Sequence, residues 1–319
     1  MSYIDVFNGD ADGICALHQL RLTHPVESEL ITGVKRDIAL LKRVVAGENY
    51  RVTVLDVSLD KNRDELVRLL GDGASVFYCD HHFAGDIPET ENLETLIDTD
   101  ANVCTSLLMN DYLGGAHLPW AVTAAFGDNL FDSARAAAVP LNLSDEKLAQ
   151  LEYLGTLINY NGYGVTPDDL HFHPADLYRA IIPFADPFAF IAESEDYLRL
   201  AEGYEKDIAQ ARDLPVAVEE EFVAVIMLPD APWTRRVSGV YGNELARLFP
   251  DRAHALLTEL PDGGYRISVR APLSNKTSAD ELCMQFPTGG GRKAAAGINA
   301  LPAEMYNDFV GAFRSMYGK

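Results

Sequence analysis

The sequence predicts an α/β protein: a parallel sheet with helices on both faces, followed by a smaller α/β unit joined through a connecting helix. Three observations predict it. Apolar, β-branched runs alternate with stretches of helical spacing through the first half of the chain. A charged segment with apolar residues at helical spacing, Glu193 to Arg212, stops before Leu214-Pro215. The chain has 319 residues, against roughly 100–200 for one domain. The expected organisation is a first domain over 1–192, a connecting helix over 193–214 and a second domain over 215–319.

The elements follow in order. Tyr3–Phe7 reads as a strand and Gly13–Leu22 as the helix after it. Leu30–Val34 is a short apolar run, followed by a basic helix near Arg36 to Val45. Arg51–Val57 is strongly β-branched, Lys61–Leu70 has helical spacing, and Ser75–Cys79 is another strand. Strands alternating with helices favour parallel pairing, because each return crossover needs a helix-sized connection. From Ala101 to Tyr160 the pattern is helical. In the second domain, Phe222–Leu228, His254–Leu257 and Tyr265–Val269 look like strands, with helices at Gly239–Leu248, Ser278–Gln285 and Ala303–Met316. No internal repeat or low-complexity tract is visible.

Composition narrows the function. The hydrophobic content of 48% suits a sizeable core. The formal net charge is -22, from 26 Lys+Arg against 48 Asp+Glu, which opposes long nucleic-acid duplexes, whose binding rests on basic phosphate contacts. A small phosphorylated substrate is easier to reconcile with it. The four cysteines, Cys15, Cys79, Cys104 and Cys283, form no CxxC pair and read as reduced. The start lacks a basic leader and no 18-residue apolar run exists. A cytoplasmic protein without a membrane partner is expected, and a homodimer is left open.

The chemistry-bearing residues recur at one kind of position. Asp10 and Asp12 in Asn8-Gly9-Asp10-Ala11-Asp12-Gly13, Asp56 in Leu55-Asp56-Val57, Asp80-His81-His82, and Asp128 in Gly127-Asp128-Asn129 are each read as following an apolar run with strand character. Ligands of open parallel sheets collect beyond the carboxyl ends of the strands. Two metal ions about 3.5–4 Å apart can each take one carboxylate of the first pair and share Asp56, with His81 and Asp128 completing the second ion. Oxygen-rich sites with one imidazole suit Mn²⁺ or Mg²⁺. Asp10, Asp12, Asp56 and Asp128 carry about four negative charges, which two divalent ions cancel and which would otherwise repel one another. One aspartate after a strand is usually a turn residue or helix cap. The ordered set of four acidic elements with a histidine pair is what argues for metal.

With these motifs in place, the chain resembles the DHH-family phosphoesterases, named for the Asp-His-His found at Asp80 to His82. The C-terminal part resembles the DHHA1 domain that accompanies it in oligoribonucleases, cyclic-dinucleotide phosphodiesterases and RecJ-like exonucleases. The family pattern GGGHxxAAG stands here as Gly289-Gly290-Gly291-Arg292-Lys293-Ala294-Ala295-Ala296-Gly297. The resemblance implies Asp10 and Asp56 on one Mn²⁺, and Asp12, Asp56, His81 and Asp128 on the other. It implies His82 beside the phosphate, Asp80 orienting the histidines, and in-line attack by a metal-activated water. It implies that Arg270, in Ser268-Val269-Arg270, and the glycine run Gly289, Gly290 and Gly291 hold the substrate. Two positions depart from the family. Where relatives carry a His or Asp ligand just before Asp10, the candidates here are Asn8, which brings an oxygen without charge, and the apolar Val6. Arg292 replaces the histidine of the glycine motif, and its guanidinium forks onto a terminal phosphate without titrating near neutral pH.

Other features have plainer readings. The glycine run lets backbone approach a ligand and point amides at an anion, with Arg292 and Lys293 adding charge; composition alone would read it as a flexible loop. His171-Phe172-His173 reads as alternating histidines on a strand with a structural role. Tyr160-Asn161-Gly162-Tyr163-Gly164 reads as a solvated loop that could stack a base. Trp233-Thr234-Arg235-Arg236 is a basic-aromatic spot open to a nucleotide or to nothing. The expected function is an Mn²⁺-dependent phosphohydrolase, with Mg²⁺ as the other candidate ion, acting by a two-metal mechanism. Its expected substrates are short oligonucleotides, dinucleotides or 3′-phosphorylated adenosine nucleotides. The alternatives are a catalytically inactive nucleotide-binding or scaffold protein and, ranked lower, an inorganic pyrophosphatase.

Overall fold

The computed structural model describes residues 1–318. The chain divides into two compact units, Met1–Glu202 and the part from Gly203 onward. The first unit begins with β1 (Ser2–Phe7), α1 (Ala11–Thr23), β2 (Glu29–Ile31), β3 (Tyr50–Leu55), α2 (Leu59–Gly71), β4 (Ser75–Asp80) and β5 (Leu93–Ile97). It continues through α3 (Thr105–Tyr112), α4 (Leu118–Gly127), α5 (Phe131–Ala138), α6 (Asp145–Gly162), α7 (Pro174–Ile181) and α8 (Pro187–Glu193), and α9 (Glu195–Arg212) leads onward.

Five strands form one sheet in the order β2-β1-β3-β4-β5, every pair parallel. Alternate residues face opposite sides, and both sides are apolar because both are covered. Ile4, Val6, Val52, Val54, Val76 and Tyr78 join Leu59, Leu66 and Leu69 of α2 in one core cluster. On the other face Phe7 meets Tyr178 of α7, and α1, buried from Ala11 to Leu20, lies between the sheet and α4. The strand order turns back between β1 and β3, which leaves a crevice at their carboxyl ends.

Several expectations need correction. The basic helix near Arg36 to Val45 is an irregular segment with one 3-10 turn at Leu40–Arg43. Asn62 of α2 explains this: its side chain accepts from Leu41 N and donates to Ile38 O, taking backbone groups a helix would need. Asp128 does not follow a strand; it caps the end of α4, its amide donating to Ala124 O at 2.8 Å. Tyr160 to Gly162 is the buried last turn of α6, and Asn161 there bonds both the amide and the carbonyl of Phe172. His171 and His173 lie on no strand: His171 Nε2 shares a 2.7 Å hydrogen bond with the Tyr160 hydroxyl, and His173 Nδ1 accepts from Ala175 N at the start of α7. All four cysteines are free and buried. Among the described residues no helix is long and apolar enough to cross a membrane.

The second unit contains β6 (Val216–Glu219), β7 (Val223–Leu228), α10 (Pro232–Leu248), β8 (Ala253–Glu259), β9 (Tyr265–Arg270), α11 (Ala279–Cys283), β10 (Gly289–Gly291), β11 (Ala295–Leu301) and α12 (Tyr306–Tyr317). Its sheet runs β10-β11-β9-β8-β7-β6, antiparallel except for β7 with β8. Val223, Val225, Leu257, Ile267 and Val269 pack with Phe309 and Phe313 of α12 in its core. The Trp233 to Arg236 spot is the first turn of α10, where Arg235 pairs with Asp230 and Arg236 with Asp207.

The glycine run is an edge strand and not a loop, and packing explains two of its residues. A Cβ at Gly289 would stand 1.8 Å from Cys283 O, and one at Gly291 would stand 2.4 Å from Ala296 Cα, where φ is also +144°. A Cβ at Gly290 would meet nothing within 4 Å among the described residues.

Candidate metal centre

The carboxyl ends of β1, β3 and β4 bring Asp10, Asp12, Asp56, His81 and His82 together, and Asp128 joins them from the end of α4. Asp10 is the N-cap of α1: its Oδ1 accepts from Asp12 N at 3.0 Å and Gly13 N at 3.2 Å. Its Oδ2 meets Lys35 Nζ at 2.6 Å. Burial alone would raise the Asp10 carboxyl, but Lys35 outweighs it and holds the group below the usual carboxylate range.

Asp12 is held by α3. Its Oδ2 accepts from Thr105 N and its Oδ1 from Ser106 N, both at 2.7 Å. Two amides at a helix N-terminus stabilise a carboxylate, and each oxygen keeps a second lone pair for a cation. Burial, helped by the charges of Asp128 and Asp10, still pushes the Asp12 carboxyl upward.

Asp56 has the least support. It is 2% exposed, and its side chain receives one hydroxyl, Thr105 Oγ1 at 3.4 Å. Burial pushes its carboxyl well above the ordinary value, and the charges of Asp10, Asp12, Asp128 and Asp80 push the same way. Its backbone is left-handed, φ +58°, a conformation that costs an L-residue about 1 kcal/mol or more and persists where the surroundings enforce it. Here the amide of Asp56 donates to Cys79 O at 3.1 Å, which fixes the turn leaving β3.

The two histidines are held differently. His81 Nδ1 bonds Val103 O at 2.9 Å; a carbonyl only accepts, so Nδ1 carries a proton, and the neutral ring, the form that binds a metal, then presents its lone pair at Nε2. That lone pair faces Asp56 Oδ1 at 3.5 Å, Asp128 Oδ2 at 3.9 Å and Asp12 Oδ2 at 4.0 Å. His82 Nδ1 donates to Asp80 Oδ1 at 2.7 Å. Burial lowers the His82 ring, but Asp80 outweighs it and raises it overall. Asp80 therefore orients His82, while a backbone carbonyl orients His81. Asp80 Oδ2 and Asn8 Oδ1 are buried without a hydrogen-bond partner among the described residues, and Asn8 Nδ2 donates to Lys35 O at 3.4 Å.

These residues fit a divalent cation. Ligand atoms of Asp56, His81 and His82 lie within 4.8 Å of one another, and acceptors facing acceptors need a positive charge between them. The donors are carboxylate and imidazole, a set that suits Mn²⁺ or Mg²⁺. The neighbouring Cys15, Cys79 and Cys104 thiols are pushed well up, first by burial and then by Asp12, which keeps them protonated in the metal-free protein.

Sequence reasoning missed Lys35, Asn159, Val103, Thr105 and Ser106. Lys35 Nζ contacts Asp10, Asp128 Oδ1 at 3.2 Å and Asn159 Oδ1 at 2.9 Å. It follows β2, so the strand-end rule that found Asp10 and Asp56 would have found it too.

The residues expected to bind substrate lie in the second unit. Arg270, at the end of β9, donates to Asn243 Oδ1 at 2.7 Å, Ser268 Oγ at 2.9 Å, Val269 O at 3.2 Å and Gly239 O at 3.4 Å. Arg292 is exposed at the turn between β10 and β11, its amide donating to Ala295 O at 2.9 Å. Gly289, Gly290 and Gly291 form the strand beside it.

Compared with known proteins, the sequence matches no family model and no curated protein. Solved structures do match. A crystal structure of the exonuclease RecJ bound to manganese superposes with a TM-score of 0.62 at 18% identity, covering 98% of this chain and 89% of that one. RecJ from Thermus thermophilus in complex with Mn²⁺ gives 0.60 at 17%, covering 99% of this chain and 52% of that one. The pGpG-specific phosphodiesterase PggH from Vibrio cholerae gives 0.57 at 14%, covering 99% and 98%. With its five-stranded parallel sheet, flanking helices and second sheet unit, this chain has the DHH/RecJ-like α/β fold.

Proposed function

We propose that the protein is a phosphoesterase that hydrolyses short nucleotides with a divalent ion, Mn²⁺ first and Mg²⁺ second. The observation that carries this is the His81 Nε2 lone pair facing Asp56, Asp128 and Asp12. The matching RecJ structures are described as manganese complexes and PggH as pGpG-specific, which supports both the metal and the substrate class. The net charge of -22 disfavours long duplexes. The reading places the protein in the cytoplasm.

Asp56 and His81, with Asp12 and Asp128, would hold the ion. A bound ion there supplies charge for phosphoryl oxygens and lowers the pKa of a water. The protein's own groups do the rest. The α3 amides keep Asp12 in place, Val103 O fixes the His81 tautomer, and Asp80 aims His82, whose side chain is 35% exposed. With Nδ1 committed to Asp80, His82 Nε2 is the atom free to pass a proton to a leaving oxygen. Arg270, Arg292 and the Gly289 to Gly291 strand bind the nucleotide.

The test is chelator-stripped protein supplied with Mn²⁺ and offered pGpG, short single-stranded RNAs, adenosine 3′,5′-bisphosphate and bis-p-nitrophenyl phosphate. Metal-dependent release of mononucleotide or phosphate is expected. No turnover of any of these with Mn²⁺ or Mg²⁺ would favour an inactive binding protein instead.

A further inference from the structure

Lys35 stands inside the acidic cluster, and its contacts are those of a built site. Its ammonium has three N–H donors and three close acceptors: Asp10 Oδ2 at 2.6 Å, Asn159 Oδ1 at 2.9 Å and Asp128 Oδ1 at 3.2 Å. Two carboxylate oxygens and an amide oxygen are also what a hard cation takes. The residue is pinned at its backbone, where its amide donates to Gly162 O at 2.8 Å and its carbonyl accepts from Asn8 Nδ2 at 3.4 Å. Its side chain is 22% exposed.

We propose that the Lys35 ammonium takes the place of one of two cations, so that the chain binds one divalent ion, at Asp56 and His81. The inference rests on the metal-dependent reading above and fixes its ion count. The charges agree. Asp10, Asp12, Asp56 and Asp128 bring about four negative charges; one lysine and one divalent ion leave about one, while a second ion on Asp10 would sit against the ammonium. Asn8, two residues before Asp10, brings a neutral amide where a charged oxygen would favour an ion. The two cations then divide the work. An ammonium offsets charge on a phosphoryl oxygen through its N–H donors but has no coordination position for water, so water activation stays with the single ion.

Equilibrium dialysis against excess Mn²⁺ counts the ions, with Asp56→Asn as the blank for surface binding. One ion per wild-type chain is expected, rising toward two in Lys35→Gln, where Asp10 and Asp128 lose the ammonium. Two ions per wild-type chain would overturn the assignment of Lys35 yet leave metal-dependent hydrolysis standing, whereas none would overturn both. Lys35→Gln remaining at one would show that the ammonium excludes no ion. Electron paramagnetic resonance of the wild type decides independently of the variant's folding: an isolated-ion manganese signal is expected, and a spin-coupled pair would contradict it.

Discussion

Two buried aspartates on the same sheet, Asp5 within β1 and Asp56 just past β3, live in opposite surroundings. Asp5 is wholly buried, and it is matched: Arg21 Nε and Nη2 reach its two oxygens at 2.8 and 2.5 Å, and Ser28 adds a hydroxyl at 2.6 Å. Asp56 receives one long hydroxyl contact and feels four neighbouring carboxylates. A buried charge matched by the protein belongs to the architecture; one left unmatched requires a positive group that the protein does not supply. The sheet separates the two by position, since the carboxyl ends of its strands are where a ligand can reach.

The largest effect should come from Asp56. Asp56→Asn should reduce hydrolysis to background and abolish Mn²⁺ binding, yet raise the melting temperature of the metal-free protein, because it removes one of several repelling charges. Asp5→Asn should do the reverse. It strands Arg21 beside a neutral amide and should cost about 3 kcal/mol of stability, with manganese content per folded chain unchanged. Denaturant titration and metal analysis of both variants check the pair. Equal destabilisation by the two substitutions would break the contrast.

The contrast also has a pH signature. Burial first, then neighbouring carboxylates, raise Asp56 well above its ordinary 3.8, and Asp12 is raised as well. Each keeps a proton in the folded chain that the unfolded chain releases. Stability from these groups is complete below about 3.8 and is lost as pH rises through their folded values. Asp10, held down by Lys35 against its burial, works in the opposite sense. Metal-free protein should therefore weaken between acid and neutral pH, and Mn²⁺ should stabilise it more at pH 8 than at pH 5. An increment of about 2.7 kcal/mol is expected where the ion is at a hundred times its Kd. Equal metal-induced shifts in melting temperature at the two pH values would contradict the unmatched state of Asp56.

The legible parts of the molecule were those set by local pattern. The mostly apolar runs of β1, β3 and β4 lead into Asp10, Asp56 and Asp80, so fold class and the acidic residues could be read together. What escaped depends on distant partners. Lys35 meets Asp128 and Asn159 across 93 and 124 residues of chain, and the α3 amides reach Asp12 across 93 and 94. The place of Lys35 after β2 is a local sign of the site, but its partners are not local. The expected helix after β2 failed for a related reason, since Asn62 takes its backbone groups from another element. Asp128 was found as a residue but placed after the wrong kind of element, because an apolar Ala-Ala-Phe run suits the buried α4 as well as a strand. The alternative of a flexible glycine loop fails because Gly289–Gly291 forms a strand, where close packing against Cys283 and Ala296 demands glycine as firmly as a ligand would.

The smallest expected effect concerns Arg292. It is exposed on the second unit, so its contribution to nucleotide binding should fall at the low end for a charge-assisted hydrogen bond, about 1.5 kcal/mol or roughly tenfold in KM. Arg292→Ala should leave manganese binding unchanged and should weaken dinucleotide turnover more than turnover of bis-p-nitrophenyl phosphate. Equal losses on both substrates would mean that Arg292 does not recognise the nucleotide.

The central claim is that the unmatched charge around Asp56 is a metal centre. Crystals soaked in Mn²⁺ and measured at the manganese absorption edge test it most directly. The account predicts an anomalous peak bounded by the carboxylate of Asp56 and Nε2 of His81. Strong manganese peaks elsewhere, with none at Asp56 and His81, would contradict it.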